Sequence, residues 1–97
     1  MVSIKEENGN FVFVFSGKLD TTNCLQIEKE VLAHVCAAKG NIVFDLGDVN
    51  FVASIFLRLC IQSCKDVGAT RFRIANVTPG VHKVFKLSGL DSLIAVE

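Results

Sequence analysis

Three short runs rich in β-branched and aromatic residues, at 11–15 (FVFVF), 42–46 and 71–75, are separated by stretches long enough for a helix. That spacing is the strongest constraint on the fold. Parallel neighbours need a crossover of a dozen or more residues, usually a helix, and such crossovers are right-handed. Strand–helix alternation therefore predicts an α/β domain with a mostly parallel sheet and helices packed on it. The start is different: a short strand at 2–5 and the FVFVF run are joined through Asn8-Gly9, a strong hairpin turn. An antiparallel N-terminal strand is expected there. The uninterrupted FVFVF run fits a strand buried on both faces.

Punctuation places the helices. Gly17 interrupts the second strand, and Asp20, Thr21, Thr22 and Asn23 offer helix caps, with Asn23 and Gln26 matching a capping box. The first helix is expected over 24–39, stopping at Gly40, with Cys24, Ile27, Val31, Val35 and Ala38 facing inward and Glu28, Lys29 and Lys39 outward. After the strand at 42–46, Gly47, Asp48 and Asn50 read as a loop, with Val49 and Phe51 pinned inward. A second helix at 54–67, ended by Gly68, would bury Leu57, Ile61 and Cys64 and expose Ser54, Arg58, Gln62 and Lys65. Thr78 caps a third helix that opens on Pro79 and ends at Gly89. In it Val81, Val84, Phe85 and Ser88 form one side, and His82, Lys83 and Lys86 the other. Residues 93–96 can add a last strand or an extended tail. Nothing in 1–97 reads as a linker or repeat, so one domain is expected.

Composition narrows the function classes. The chain has 97 residues and is 51% apolar before its seven glycines are counted, above the roughly 45–50% usual with glycine included. Ten basic residues balance ten acidic ones, which disfavours nucleic-acid binding through a large basic field. Apolar runs fall well short of the roughly 18 residues a membrane span needs. Lys5, Glu6 and Glu7 stand where a signal peptide would carry its apolar core, so a cytoplasmic location is expected. Cysteines at 24, 36, 60 and 64 lack the spacing of a zinc site, although Cys60 and Cys64 share a helix face and His34 or His82 could join them. Reduced, metal-free thiols are expected, with Cys64 buried on the inner stripe of the second helix. No Walker-type phosphate loop or Cys-x5-Arg loop is present, and no base stands beside a cysteine, so neither an enzyme nor a bound cofactor is expected. Asp20 and Asp45 can be read as a carboxylate pair for acid–base work, but nothing in the sequence fixes their separation, and caps and loop polars are the usual explanation of such aspartates.

Three segments then point to a family. SGKLDTTN at 16–23, DLGDVNFVASIFL at 45–57 and IANVTPGVHKVFKLSGL at 74–90 together resemble the STAS domain, the fold of bacterial anti-sigma factor antagonists. The resemblance implies a signalling module that binds an anti-sigma factor kinase and regulates transcription through that protein–protein interaction, without touching nucleic acid or inserting into membrane. It implies Ser54 as the phosphoacceptor. It also places Asp20 and Asp45 at the flank of a partner-binding surface around Ser54. Helical spacing adds Arg58, one turn later on the same face, and Phe56 beside Ser54 reads as an apolar contact on that surface or, in preference, as core. The chain departs from the family in having Ala53 for the usual aspartate before the serine, Phe56 for the usual glycine two residues after it, and Arg58 for a small residue. A STAS subunit that is never phosphorylated, built into a signalling scaffold or transporter complex, is the alternative. As a helix N-cap, Ser54 would contribute roughly 1 kcal/mol with or without a phosphate. A phosphate would add about −1.5 to −2 charges at that point.

Overall fold

The β-type runs do become neighbouring strands. In the computed structural model, which describes residues 2–97, strand β1 (Val2–Glu7) pairs antiparallel with β2 (Asn10–Leu19). The turn between them places Asn8 at φ 52° and Gly9 at φ 83°, the double positive φ that an Asn-Gly hairpin supplies. Helix α1 (Thr21–Ala37) crosses to β3 (Asn41–Val52), and α2 (Ser54–Val67) crosses to β4 (Phe72–Ala75). Helix α3 (Pro79–Leu87) leads to the short β5 (Ala95–Val96). The sheet order is β1-β2-β3-β4-β5, with every pair after the first parallel.

The expectation of a β2 buried on both faces is corrected. Phe13 and Phe15 are buried in the core, whereas Val12 and Val14 are half-buried on the opposite face. One core cluster takes residues from all three helices, including Ile27 and Val31 of α1, Phe56 and Leu59 of α2, and Val81 and Phe85 of α3. The other face is mixed: Lys5, Val12, Val43 and Arg73 lie in one cross-strand row, and Ser3, Val14, Asp45 and Ala75 in the next. Phe44 is the hub of the core, with ring centroids 5.3 Å from Phe13, 5.0 Å from Phe15, 4.8 Å from Phe72 and 6.3 Å from Phe56.

Several boundaries move for physical reasons. Helix α1 starts three residues earlier than expected because Asp20, not Asn23, caps it: the Asp20 carboxylate accepts the Asn23 N–H at 2.9 Å. It ends at Ala37, and Gly40 serves another purpose: a Cβ there would collide with the Gly9 carbonyl, so the glycine lets the β1–β2 turn pack closely. Strand β2 runs on to Leu19 through Gly17 at φ 82°. The loop expected at 47–50 is strand. Strand β3 continues to Val52 and absorbs one extra residue opposite the Val14–Ser16 step and another opposite Gly17–Lys18, two bulges in the β2–β3 ladder.

Helix α2 has the expected limits and ends at Gly68, with φ 91°. It is rotated, however. Phe56, Leu59, Cys60, Ser63 and Val67 are buried, while Leu57, Ile61 and Cys64 lie half-buried at the side. Cys60 thus takes the interior place expected for Cys64. Arg71 falls in a short 3-10 turn before β4, its guanidinium donating to the Gly40 carbonyl at 2.8 Å. Thr78 precedes α3 as expected but makes no side-chain cap; its hydroxyl donates to the Val49 carbonyl at 3.2 Å.

Candidate partner-binding site

Two strand ends bring two helix starts together. Leu19 and Val52 are paired across β2 and β3, and the Ala53 N–H donates to the Leu19 carbonyl at 2.9 Å. Helices α1 and α2 therefore begin side by side, and Asp20 stands next to the Ala53-Ser54 step. The α1 start is tightly held: besides the Asp20 cap, the Asn23 amide donates to the Lys18 carbonyl at 2.8 Å.

The α2 start is built differently. Ala53, with extended φ −90° and ψ 166°, occupies the N-cap position and has no side chain with which to cap. Ser54 is consequently the first helical residue and not the cap, which corrects the expectation from sequence. Its side chain is exposed, and no hydrogen bond engages its hydroxyl among the described residues. Arg58 lies one turn further along, also exposed. It borders a groove of about 480 Å³ between α1 and α2 whose apolar lining includes Leu32, Ile55 and Leu59, with Glu28 and Asp66 among its polar residues.

The other proposed contacts fall elsewhere. Phe56 is fully buried, with its ring edge-on to Phe15 at 5.2 Å, so it belongs to the core and is removed from the candidate surface. Asp45 lies seven residues before Val52 on β3, roughly 20 Å along an extended strand. It is locked in local structure: one carboxylate oxygen accepts the Gly47 N–H at 2.9 Å and the other the Asn76 amide at 3.2 Å. The structure brings Asp20, Ser54 and Arg58 to one end of the α1–α2 pair and leaves Asp45 apart.

Two apolar side chains escaped the sequence reading. Phe51 was expected inside but is 48% exposed, because the second β3 bulge sets it opposite Lys18 and turns Val52 inward instead. Leu25, in the first turns of α1, is 63% exposed. Its only sequence signal is that it falls outside the buried stripe of Cys24, Ile27 and Val31.

The cysteines are free thiols. Burial pushes the Cys60 thiol well above its ordinary pKa, with Cys24 and Cys64 adding smaller contributions. Burial also raises Cys24, reinforced by Asp20 and Glu28, and Cys64. Cys36 is exposed on α1; its thiol donates to the Asp66 carboxylate at 3.5 Å, and that bond is the main cause of its raised pKa. Among the described residues, no group of three or more His, Cys, Asp or Glu side chains is placed to hold a metal ion. His34 and His82 are both exposed. No described helix is long and apolar enough to cross a membrane.

This arrangement of a mixed sheet crossed by three helices is that of a known family. The pattern that defines the STAS domain matches residues 1–97, and the chain belongs to the STAS domain family. A relative from Bordetella bronchiseptica, named "Putative anti-sigma factor antagonist BtrV", is 26% identical over 91 residues, covering 92% of this chain and 78% of that protein. Among solved structures, an anti-sigma factor antagonist from Mycobacterium paratuberculosis superposes with a TM-score of 0.90 at 23% identity, covering 99% of this chain and 83% of that one. The anti-sigma factor antagonist SpoIIAA in its unphosphorylated form gives a TM-score of 0.81 at 22% identity, covering 100% and 88%. At these identities the solved structures establish the fold.

Proposed function

We propose that this STAS domain acts as an anti-sigma factor antagonist: a cytoplasmic, non-catalytic module that binds an anti-sigma factor kinase through the Asp20–Ser54–Arg58 end and is switched by phosphorylation of Ser54. The observation that carries the reading is the Ser54 hydroxyl, exposed at the first position of α2 and engaged by no hydrogen bond among the described residues. A kinase can reach such a hydroxyl without unfolding the helix. The first N–H groups of a helix have no intrahelical partners and carry positive partial charge, so the domain tolerates a phosphate there. The same added charge acts against a partner packed on that surface. Exposed Phe51 and Leu25 supply apolar area on the elements that frame the site. The names of the Bordetella relative and of the Mycobacterium structure support the same reading.

The test is to incubate the protein and its Ser54→Ala variant with an anti-sigma factor kinase and ATP, and to map phosphate by mass spectrometry. Phosphate on Ser54 alone, absent from the variant, is expected. Ser54→Asp should weaken kinase binding in titration calorimetry while leaving the fold intact. A wild type that binds the kinase yet takes no phosphate would instead support a constitutive interaction subunit, a role that Ala53, in place of the usual aspartate, also fits.

A further inference from the structure

We propose that Arg58 is the built-in counterion of a phosphate on Ser54, so that the modified helix start folds its new charge onto its own next turn. This rests on the reading of Ser54 as the phosphoacceptor and adds how the modified state is held.

The chain has three arginines, and two are occupied: Arg71 donates to the Gly40 carbonyl at 2.8 Å and Arg73 pairs with Glu97 at 2.6 Å. Arg58 is exposed and has no hydrogen bond or ion pair among the described residues, leaving its planar fork open. Ser54 and Arg58 are four residues apart on α2, which sets their Cβ atoms about 5–6 Å apart on one face. Helical side chains lean toward the helix N-terminus, so Arg58 leans toward Ser54. The order is also the favourable one, with the acidic group N-terminal to the basic one. A guanidinium matches phosphate oxygens in a two-pronged fashion that a lysine cannot reproduce.

Other charges surround the pair. Glu28 and Asp66 line the same groove as Arg58, from α1 and from α2 itself. Asp20 caps the adjacent helix, and Lys18 stands opposite Phe51 on β2. Neither Glu28 nor Asp66 is bonded to Arg58, so the guanidinium can turn to a phosphate without breaking an existing ion pair.

The experiment installs phosphoserine at position 54 during synthesis, in the otherwise native chain and in Arg58→Gln and Arg58→Lys variants, and follows the second ionisation of the phosphate by phosphorus NMR. A neighbouring cation favours the dianion, so the midpoint should lie lower with arginine than in Arg58→Gln, by roughly half a unit at low salt. Arg58→Lys should recover only part of that difference, and salt near about 1 M should collapse it. The helix start, Asp20, Glu28, Asp66 and Lys18 are common to all three chains and cancel in the comparison. Coincident titrations of the arginine and Arg58→Gln proteins at low salt would overturn the pairing. Because the phosphate is placed without a kinase, that result would leave the kinase reading untouched. A kinase that fails to modify Ser54 would, conversely, count against the function and not against the pairing.

Discussion

Asn76 shows how much can rest on one side chain. It is a non-glycine residue at φ 59°, and its amide holds the Asp45 carboxylate at 3.2 Å, which in turn accepts the Gly47 N–H. Asparagine tolerates the left-handed region better than most residues, whereas alanine is penalised there. Asn76→Ala should lose the bond and add backbone strain, lowering stability by about 1–3 kcal/mol. Asn76→Gly should lose the bond alone and cost less, a contrast that urea unfolding of the two variants resolves. Cys36 offers a second residue-level test. Its thiol pKa is raised chiefly by the bond to Asp66, so Asp66→Asn should lower that pKa and increase the small thiolate fraction at neutral pH. A thiol reagent should then label Cys36 several-fold faster than in the native protein. In both proteins buried Cys60 should react last, as peptide mapping of the labelled thiols will show.

At the scale of elements, the adjacent helix starts differ in kind. Helix α1 has a side-chain cap from Asp20, while α2 has Ala53 at the equivalent place and Ser54 already inside the helix. Asp20→Ala should therefore cost about 1 kcal/mol, whereas Ser54→Ala should change stability by less than about 0.5 kcal/mol. Thermal or denaturant unfolding of the two variants measures this directly. Equal losses would mean that Ser54 caps α2 after all. The near-neutral Ser54→Ala also makes it a clean tool for the phosphorylation experiment, because any change in binding will not reflect a damaged helix. The limits of α2 and α3 were legible from the chain because Gly68, Pro79 and Gly89 act locally, through φ preferences that neighbouring residues cannot override.

At the scale of the molecule, the aromatic cluster sets the rotation of α2. That helix carries apolar residues on more than one side, Phe56, Leu59, Cys60 and Val67 on one and Leu57, Ile61 and Cys64 on another. Either stripe satisfies helical periodicity. The interior beside Phe15 and Phe44 accepts the Phe56 ring, which decides the matter. Phe56→Ala should cost about 3–5 kcal/mol, a large part of the 5–15 kcal/mol that typically stabilises a domain. Leu57→Ala, at a half-buried position, should cost clearly less. Denaturant midpoints for the pair distinguish this rotation from the one periodicity alone suggested.

The order of elements and the position of Ser54 at a helix start follow from the chain itself, because they depend on residues close together in sequence. The parallel sheet with its antiparallel first strand follows from connection lengths, a two-residue turn after β1 and helix-length crossovers after β2. What only the tertiary structure decided are relations between distant segments. The two bulges exist only in the pairing of β3 with β2, and they turn Phe51 outward and Val52 inward. The separation of Asp45 from Ser54 follows from the continuation of β3 through residues that read as a loop, and the closeness of Asp20 to Ser54 from the bond between Ala53 and Leu19. Strand register and helix rotation are chosen by what packs opposite, and a local pattern of polar and apolar residues does not contain that partner.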